Sequence, residues 1–177
     1  MGYLPRFGAQ LTPRTAFAGL ALIPLGLLAE GLILQHFQGQ APCPLCILQR
    51  AAFLMFALIA AAGAAHNPPR RSAALYAGAM ALASLAGLGV AIWQEWSLRH
   101  PKFGCGIDVM EQFVNSLPTA KLLPFVFYAS GDCAAHNDPI LGLTVPQWSL
   151  AWFSALLLCA AFLGLRWIIA APAARST

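Results

Sequence analysis

Charge is what this sequence has least of. Of its 177 residues, 9% are charged and 59% are hydrophobic, whereas a water-soluble domain carries about 25% charged residues. The deficit excludes a soluble all-α protein with a large core, because a chain of this length cannot hide four long runs of apolar residues from water. Those runs are residues 15–35, 47–65, 72–93 and 147–170. The first carries only Glu30, the second only Arg50, the third no charge and the fourth only Arg166. A bilayer core about 30 Å thick is crossed by roughly 20 helical residues. Lipid cannot satisfy exposed backbone groups, so the crossing segments must be helices. The sequence therefore predicts an all-α integral membrane protein, a four-transmembrane-helix bundle forming one membrane domain over residues 1–177. The run at 15–35 follows Arg6 and Arg14 as a leader would, but it exceeds the apolar core of a leader, about 7–15 residues, and is read as a span.

Other absences narrow the function. No basic tract alternates with aromatic residues, so nucleic acid is not an expected partner. No internal repeat or low-complexity tract is present. The arginines are placed to anchor a membrane protein. If four helices alternate, Arg6, Arg14, Arg70, Arg71, Arg166 and Arg175 fall on one side. The other side holds Arg99, Lys102 and Lys121 against Glu95, Asp108, Glu111, Asp132 and Asp138, a net negative set. The positive-inside rule then places both termini in the cytoplasm. The loops at about 36–46 and 94–146 face the exported side. In the longer loop Ile107, Met110, Val114 and Leu117 share one helical face, with Asp108, Glu111, Gln112 and Asn115 elsewhere. This predicts a short amphipathic surface helix, ended by Pro118 and Pro124. In the third span, Gly78, Ala83, Gly87 and Gly89 are expected to let helix backbones approach closely.

Cysteine is sparse, and its placement is informative. Of five cysteines, four lie in the exported loops, where disulfides persist: Cys43 and Cys46 in the short loop, Cys105 and Cys133 in the long one. Cys159 lies midway along the fourth span and reads as a small buried apolar residue. Cys43-Pro44-Leu45-Cys46 closes a very small ring, and such pairs commonly hold one thiol with a lowered pKa. With the second helix starting at Ile47, Cys46 stands at a helix N-terminus, where partial positive charge favours a thiolate. Arg50 follows one turn deeper on the same face. A charge just inside the hydrocarbon boundary is costly and usually functional; the alternative is snorkelling to the headgroups. Glu30 either pairs with Arg50 or reaches the interface. Cys105 is flanked by Gly104 and Gly106, and Cys133 follows the turn-like Ser130-Gly131-Asp132. An accessible disulfide in this net-negative loop would suit a docking partner thiol. Two other readings stand beside the redox one. The loops could simply be stapled. Or Cys43 and Cys46 could be half a zinc site completed from Cys105, Cys133, His36, His100 or His136, although no second CxxC or His-x3–5-His spacing exists to favour a metal.

These residues resemble the disulfide bond formation protein B (DsbB) family. The resemblance rests on Pro42-Cys43-Pro44-Leu45-Cys46-Ile47 with Arg50, on Ala129-Ser130-Gly131-Asp132-Cys133-Ala134, and on Leu141-Gly142-Leu143 leading to Pro146-Gln147-Trp148. With the four-helix layout and Cys105 early in the second loop, it covers nearly the whole chain. It implies a quinone-dependent oxidoreductase of the bacterial inner membrane that reoxidises a periplasmic DsbA-type dithiol oxidase, with ubiquinone or menaquinone as a dissociable acceptor. It implies that Cys105–Cys133 is the disulfide met by the partner, that Cys133 then attacks Cys43, and that Cys46 donates to the quinone beside Arg50. Where some members carry a histidine near the outer end of the third helix, this sequence reads Trp93-Gln94-Glu95-Trp96, so no second quinone contact is assigned. The chemistry is demanding: a structural disulfide near about −300 mV lies about 180 mV below a partner at about −120 mV, roughly 8 kcal/mol against the transfer. A rival enzyme class, the vitamin K epoxide reductase type, carries its CxxC within a helix late in the chain, unlike the early loop pair here.

Overall fold

The computed structural model describes residues 12–100, 107–133 and 139–169. Four long helices dominate: α1 (Pro13–Phe37), α2 (Pro44–His66), α3 (Arg70–Arg99) and α7 (Val145–Ile169). Each is long and apolar enough to cross a membrane. Three short helices, α4 (Ile107–Ser116), α5 (Pro118–Leu122) and α6 (Pro124–Phe127), occupy the second loop. Among the described residues there is no strand, only an isolated bridge between Ile140 and Leu143. The all-α, four-span architecture expected from the apolar runs is the one observed.

Proline sets several helix starts. Its missing N–H is no loss in a first turn, and its fixed φ suits the helix. Pro13, Pro44, Pro118 and Pro124 all occupy such positions. The second helix consequently begins at Pro44 rather than at Ile47. Cys43 is its N-cap, and its sulfur accepts the Cys46 backbone N–H at 3.2 Å. The third helix also differs from the expectation. It runs to Arg99 instead of ending with the apolar stretch at Trp93. The extension has its own support: Arg99 pairs with Glu95 one turn back at 2.8 Å, and Gln94 and Ser97 are buried. At the opposite end, α2 stops where Asn67 adopts a left-handed φ of 45° and donates to the Gly63 carbonyl at 3.0 Å.

The bundle is held by consecutive packing of α1 on α2, α2 on α3 and α3 on α7. Phe17, fully buried near the start of α1, gathers one end of it. Its ring lies 5.8 Å from Tyr76 of α3 and 5.1 Å from Trp167 of α7, and it covers Gly63 of α2. Arg14, Arg70, Arg71 and Arg166 belong to this end of the four helices, and the Cys43–Cys46 segment to the other. Of the glycines expected to permit close approach, only Gly87 does so. The Phe153 ring of α7 occupies the space its β-carbon would need, whereas Gly78 and Gly89 have nothing within 4 Å of that point. Phe153 in turn stacks on Phe53 of α2 at 4.0 Å.

Of the α4 face read from the sequence, Met110 and Val114 turn toward protein. Val114 is fully buried with Ile47, Phe127 and Ala129, and Met110 packs on that cluster. Among the apolar residues left exposed in this loop are Val109, Phe113, Leu122, Leu123 and Phe125. Exposed apolar residues flanking spanning helices are suited to the bilayer interface.

Candidate redox site

The thiol pair is built on the first turn of α2. Cys43 is almost fully buried and Cys46 partly so, and both are free thiols. The cap geometry makes the two inequivalent. The side-chain hydrogen bond with Cys46 and then burial push the Cys43 thiol far above its usual range.

The segment carrying Cys133 is fastened onto the segment carrying Cys43. The N–H groups of Ser130 and Gly131 both donate to the Pro42 carbonyl at 3.1 Å. From the other side, Asn115 of α4 behaves like a strand partner for Ala129. Its Nδ2 donates to the Ala129 carbonyl and its Oδ1 accepts the Ala129 N–H, each at 2.9 Å. These bonds bring Cys133 into one buried cluster with Cys43 and Leu45. Cys133 is disulfide-bonded. Cys105 lies outside the described residues, as does His136.

Arg50 reaches from α2 across to α1 and to the second loop. Its Nη1 donates to Gln35 Oε1 at 2.5 Å and to the Val126 carbonyl at 3.0 Å, and its Nη2 donates to the Gly31 carbonyl at 2.9 Å. The guanidinium lies directly over Gly31, where an added β-carbon would stand 3.5 Å from its nitrogens, an ordinary contact. Every one of these partners is a neutral oxygen. Glu30 is exposed and forms no ion pair with Arg50 among the described residues, which decides between the two roles open to it in the sequence. Among the described residues the positive charge is therefore held by neutral groups, half-buried beside the thiols.

Two glutamines complete the site. Gln49 and Gln94 are 4% and 2% exposed, and Gln49 Nε2 donates to Gln94 Oε1 at 2.6 Å. The Gln94 amide then donates to Cys46 Sγ at 3.4 Å and to Cys43 Sγ at 3.5 Å. Reasoning from the sequence missed both. Their signal was present, because an uncharged polar residue beside an apolar run needs a partner when buried, but the partner lies on another helix.

Cys43, Cys46, Cys133, Gln94 and Arg50 line one cleft of about 140 Å³. A larger cavity of about 300 Å³ adjoins it between α1 and α7, with Leu27, Gly31, Leu34, Phe53, Val145 and Ser149 common to both. Trp148, Trp152 and Leu141 close its far side. Trp148 is held by donation from its ring N–H to the Ile140 carbonyl at 2.9 Å. The histidines considered as zinc ligands are engaged elsewhere: His36 bonds and stacks on Phe125, and His100 bonds the Trp96 carbonyl. Among the described residues no three His, Cys, Asp or Glu side chains converge. Cys159 is exposed on the outer surface of α7, not buried as the sequence suggested. On a spanning helix the lipid-facing side is as apolar as a core, so hydrophobicity alone could not separate the two.

These features define a multi-pass helical membrane protein with a cysteine pair at the start of one span and a disulfide-bonded cysteine packed against it. The family model for disulfide bond formation protein DsbB matches residues 13–163. The disulfide bond formation protein B of Herminiimonas arsenicoxydans is 46% identical over 145 residues, covering 82% of this chain and 90% of that protein. Those of Cupriavidus necator and Pseudomonas syringae pv. tomato are 44% and 42% identical, covering 84% and 76% of this chain and 91% and 79% of theirs. The chain belongs to the DsbB family of disulfide bond formation membrane proteins.

Proposed function

We propose that the protein is a thiol:quinone oxidoreductase of the bacterial inner membrane that reoxidises a periplasmic DsbA-type dithiol oxidase. The observation that carries this reading is the shared cleft. The Cys43–Cys46 pair, Cys133 and Arg50 meet in a cleft that continues into an apolar cavity of about 300 Å³ between two spanning helices. A flat, apolar molecule with carbonyl oxygens fits such a place, its ring against Leu27, Phe53 and Val145 and its polar edge toward Arg50.

In the proposed sequence a partner thiolate attacks Cys105, breaks its bond to Cys133 and releases the Cys133 thiolate. The partner's second thiol resolves the mixed disulfide and leaves as the oxidised partner. Cys133 attacks Cys43 of an oxidised Cys43–Cys46 pair, and Cys46 leaves as thiolate. Cys105 then displaces Cys43 from Cys133, which restores the loop disulfide and leaves Cys43 and Cys46 reduced. Quinone, when bound, takes the two electrons and two protons of that dithiol and departs as quinol. Arg50 supplies fixed positive charge where negative charge develops, without reorganising. The packing of Cys133 on Cys43 supplies the proximity that an exchange between loops requires.

The orientation follows the charges. Arg14, Arg70, Arg71 and Arg166 mark the cytoplasmic end, and the thiols open to the periplasm. The test of the function is quinone consumption by purified protein given a reduced DsbA-type partner. One quinol per partner disulfide is expected. Partner oxidation that proceeds without any quinone loss would overturn the reading.

A further inference from the structure

We propose that Gln94 is a further catalytic residue of the dithiol site, stabilising its thiolate by hydrogen bonding, and that Gln49 is the positioning residue that fixes its orientation. The proposal rests on the thiol-oxidase reading above, but its test does not require quinone.

A buried amide must find partners or destabilise the fold. Gln94 has found sulfur: both hydrogens of its Nε2 can be used, one toward Cys46 at 3.4 Å and one toward Cys43 at 3.5 Å. Sulfur is a weak acceptor as a thiol and a good one as a thiolate. The bonds are therefore worth most in the state that donates electrons. A neutral donor also differs from a cation in a useful way. It favours negative charge on sulfur without becoming a counter-ion that must be separated when the disulfide forms and the charge disappears.

Gln49 supplies the direction. An amide side chain can turn over and present its oxygen instead. Gln49 Nε2 donates to Gln94 Oε1 at 2.6 Å, which occupies that oxygen and leaves the nitrogen for the sulfurs. A thiolate can accept but cannot donate, so only this orientation lets the Gln94 amide serve the charged sulfur, beside the Cys43 thiol. The chain of contacts joins α2 to α3 and returns to α2, so both glutamines act on the same helix start that carries the thiols.

The experiment is thiol alkylation as a function of pH on the full-length chain in detergent, in a background of Cys105→Ser, Cys133→Ser and Cys159→Ala so that only Cys43 and Cys46 react. A hydrogen bond to a charged group changes the thiolate-to-thiol ratio by roughly tenfold to a hundredfold. Gln94→Leu should therefore move the reactive thiol about one to two pH units toward alkali. Gln94→Glu keeps the volume and should move it at least as far, because a carboxylate offers the sulfur no N–H. Gln49→Glu changes nothing that touches sulfur. It should still reproduce part of the shift, since an ionised carboxylate at 49 would draw the Gln94 N–H away. Unaltered alkylation profiles in Gln94→Glu and Gln94→Leu, with normal elution and melting, would overturn the proposal and leave Gln94 a packing residue. A shift in both Gln94 variants with none in Gln49→Glu would overturn the role given to Gln49. If the parent fails to reduce quinone, the proposed function falls while these profiles remain readable.

Discussion

Gly131 lies against the carbonyl oxygen of Ala41 so closely that no β-carbon can be placed there. The contact explains why a glycine precedes Cys133 by two positions. Ser130 and Gly131 both donate to the Pro42 carbonyl at 3.1 Å, and only a bare Cα lets the two loops come near enough to make those bonds. The bonds in turn set Cys133 on Cys43.

Gly131→Ala should therefore lift the second loop from the first. The expected result is a fall of tenfold or more in disulfide exchange between Cys133 and Cys43, followed by quenching and mass analysis of the inter-loop species. Direct reduction of quinone by a chemically reduced Cys43–Cys46 pair should be nearly unchanged, because Gly131 touches neither Arg50 nor the apolar cavity. Equal losses in both half-reactions would mean that the substitution unfolds the site rather than separating its parts.

Asn115→Ala approaches the same joint from α4. It removes two hydrogen bonds to the Ala129 backbone, each 2.9 Å long. Leaving a buried N–H and carbonyl unsatisfied costs about 1–3 kcal/mol apiece. Hydrogen exchange of the 129–133 backbone should accelerate, and inter-loop exchange should slow less than in Gly131→Ala. An unchanged exchange pattern would show that the loop is held elsewhere.

How much of this was legible in the sequence follows the range of each interaction. The four spans were readable because a bilayer imposes length and composition locally. Cys43, Cys46 and Arg50 were readable because helical spacing places them on one face within two turns. The start of α2 was misplaced because Ile47 opens the apolar run, whereas Pro44 opens the helix. The end of α3 was misplaced because polar Gln94 and Ser97 face protein, and hydropathy cannot distinguish a polar residue in water from one paired inside. Gln49 meets Gln94, and Asn115 meets Ala129, through tertiary contacts that no periodicity reports. Gly87 and Gly78 are indistinguishable as letters, yet only Gly87 meets an aromatic ring of α7.

That contrast gives a packing prediction. Gly87→Leu must displace the Phe153 ring, and overpacking of a filled interface costs about 1–3 kcal/mol or more. Leu82 is 69% exposed on the same helix, so Leu82→Ala removes little packing. Folded yield from detergent extraction should drop for Gly87→Leu and hold for Leu82→Ala. Equal tolerance would place the Gly87 face toward lipid and contradict the α3–α7 packing.

The orientation is tested by fusion. Alkaline phosphatase joined after Arg71 should be inactive, and joined after Lys121 it should be active, because only the exported side permits its disulfides. The reverse pattern would remove the thiols from the compartment of their proposed partner.

Arg50 carries the sharpest prediction, because its hydrogen bonds and its proposed part in quinone binding are separable. Its Nη1 and Nη2 tie α2 to Gln35 and Gly31 of α1 and to Val126 of α6. Its charge, bonded to neutral oxygens among the described residues, is in our proposal the one that meets a polar ligand edge in the cleft it shares with Cys46. Arg50→Met removes both the bonds and the charge. Arg50→Lys keeps the charge but loses the planar fork that serves several acceptors at once. The quinone half-reaction should therefore worsen in the order parent, Arg50→Lys, Arg50→Met, chiefly as a raised KM for quinone. Loss of one well-placed charged contact is worth about 1.5–3 kcal/mol, or roughly a tenfold to hundredfold change. Single-turnover oxidation of the partner by an intact Cys105–Cys133 pair should stay near the parent rate, because in the proposed sequence that step is complete before Cys43, Cys46 and the quinone take part. Measuring the two half-reactions separately distinguishes the roles. If Arg50→Met reduces quinone at the parent rate with an unchanged KM but melts earlier, Arg50 is a staple between helices, and the polar end of the quinone site must be sought along the Glu30 and Trp148 side of the larger cavity instead.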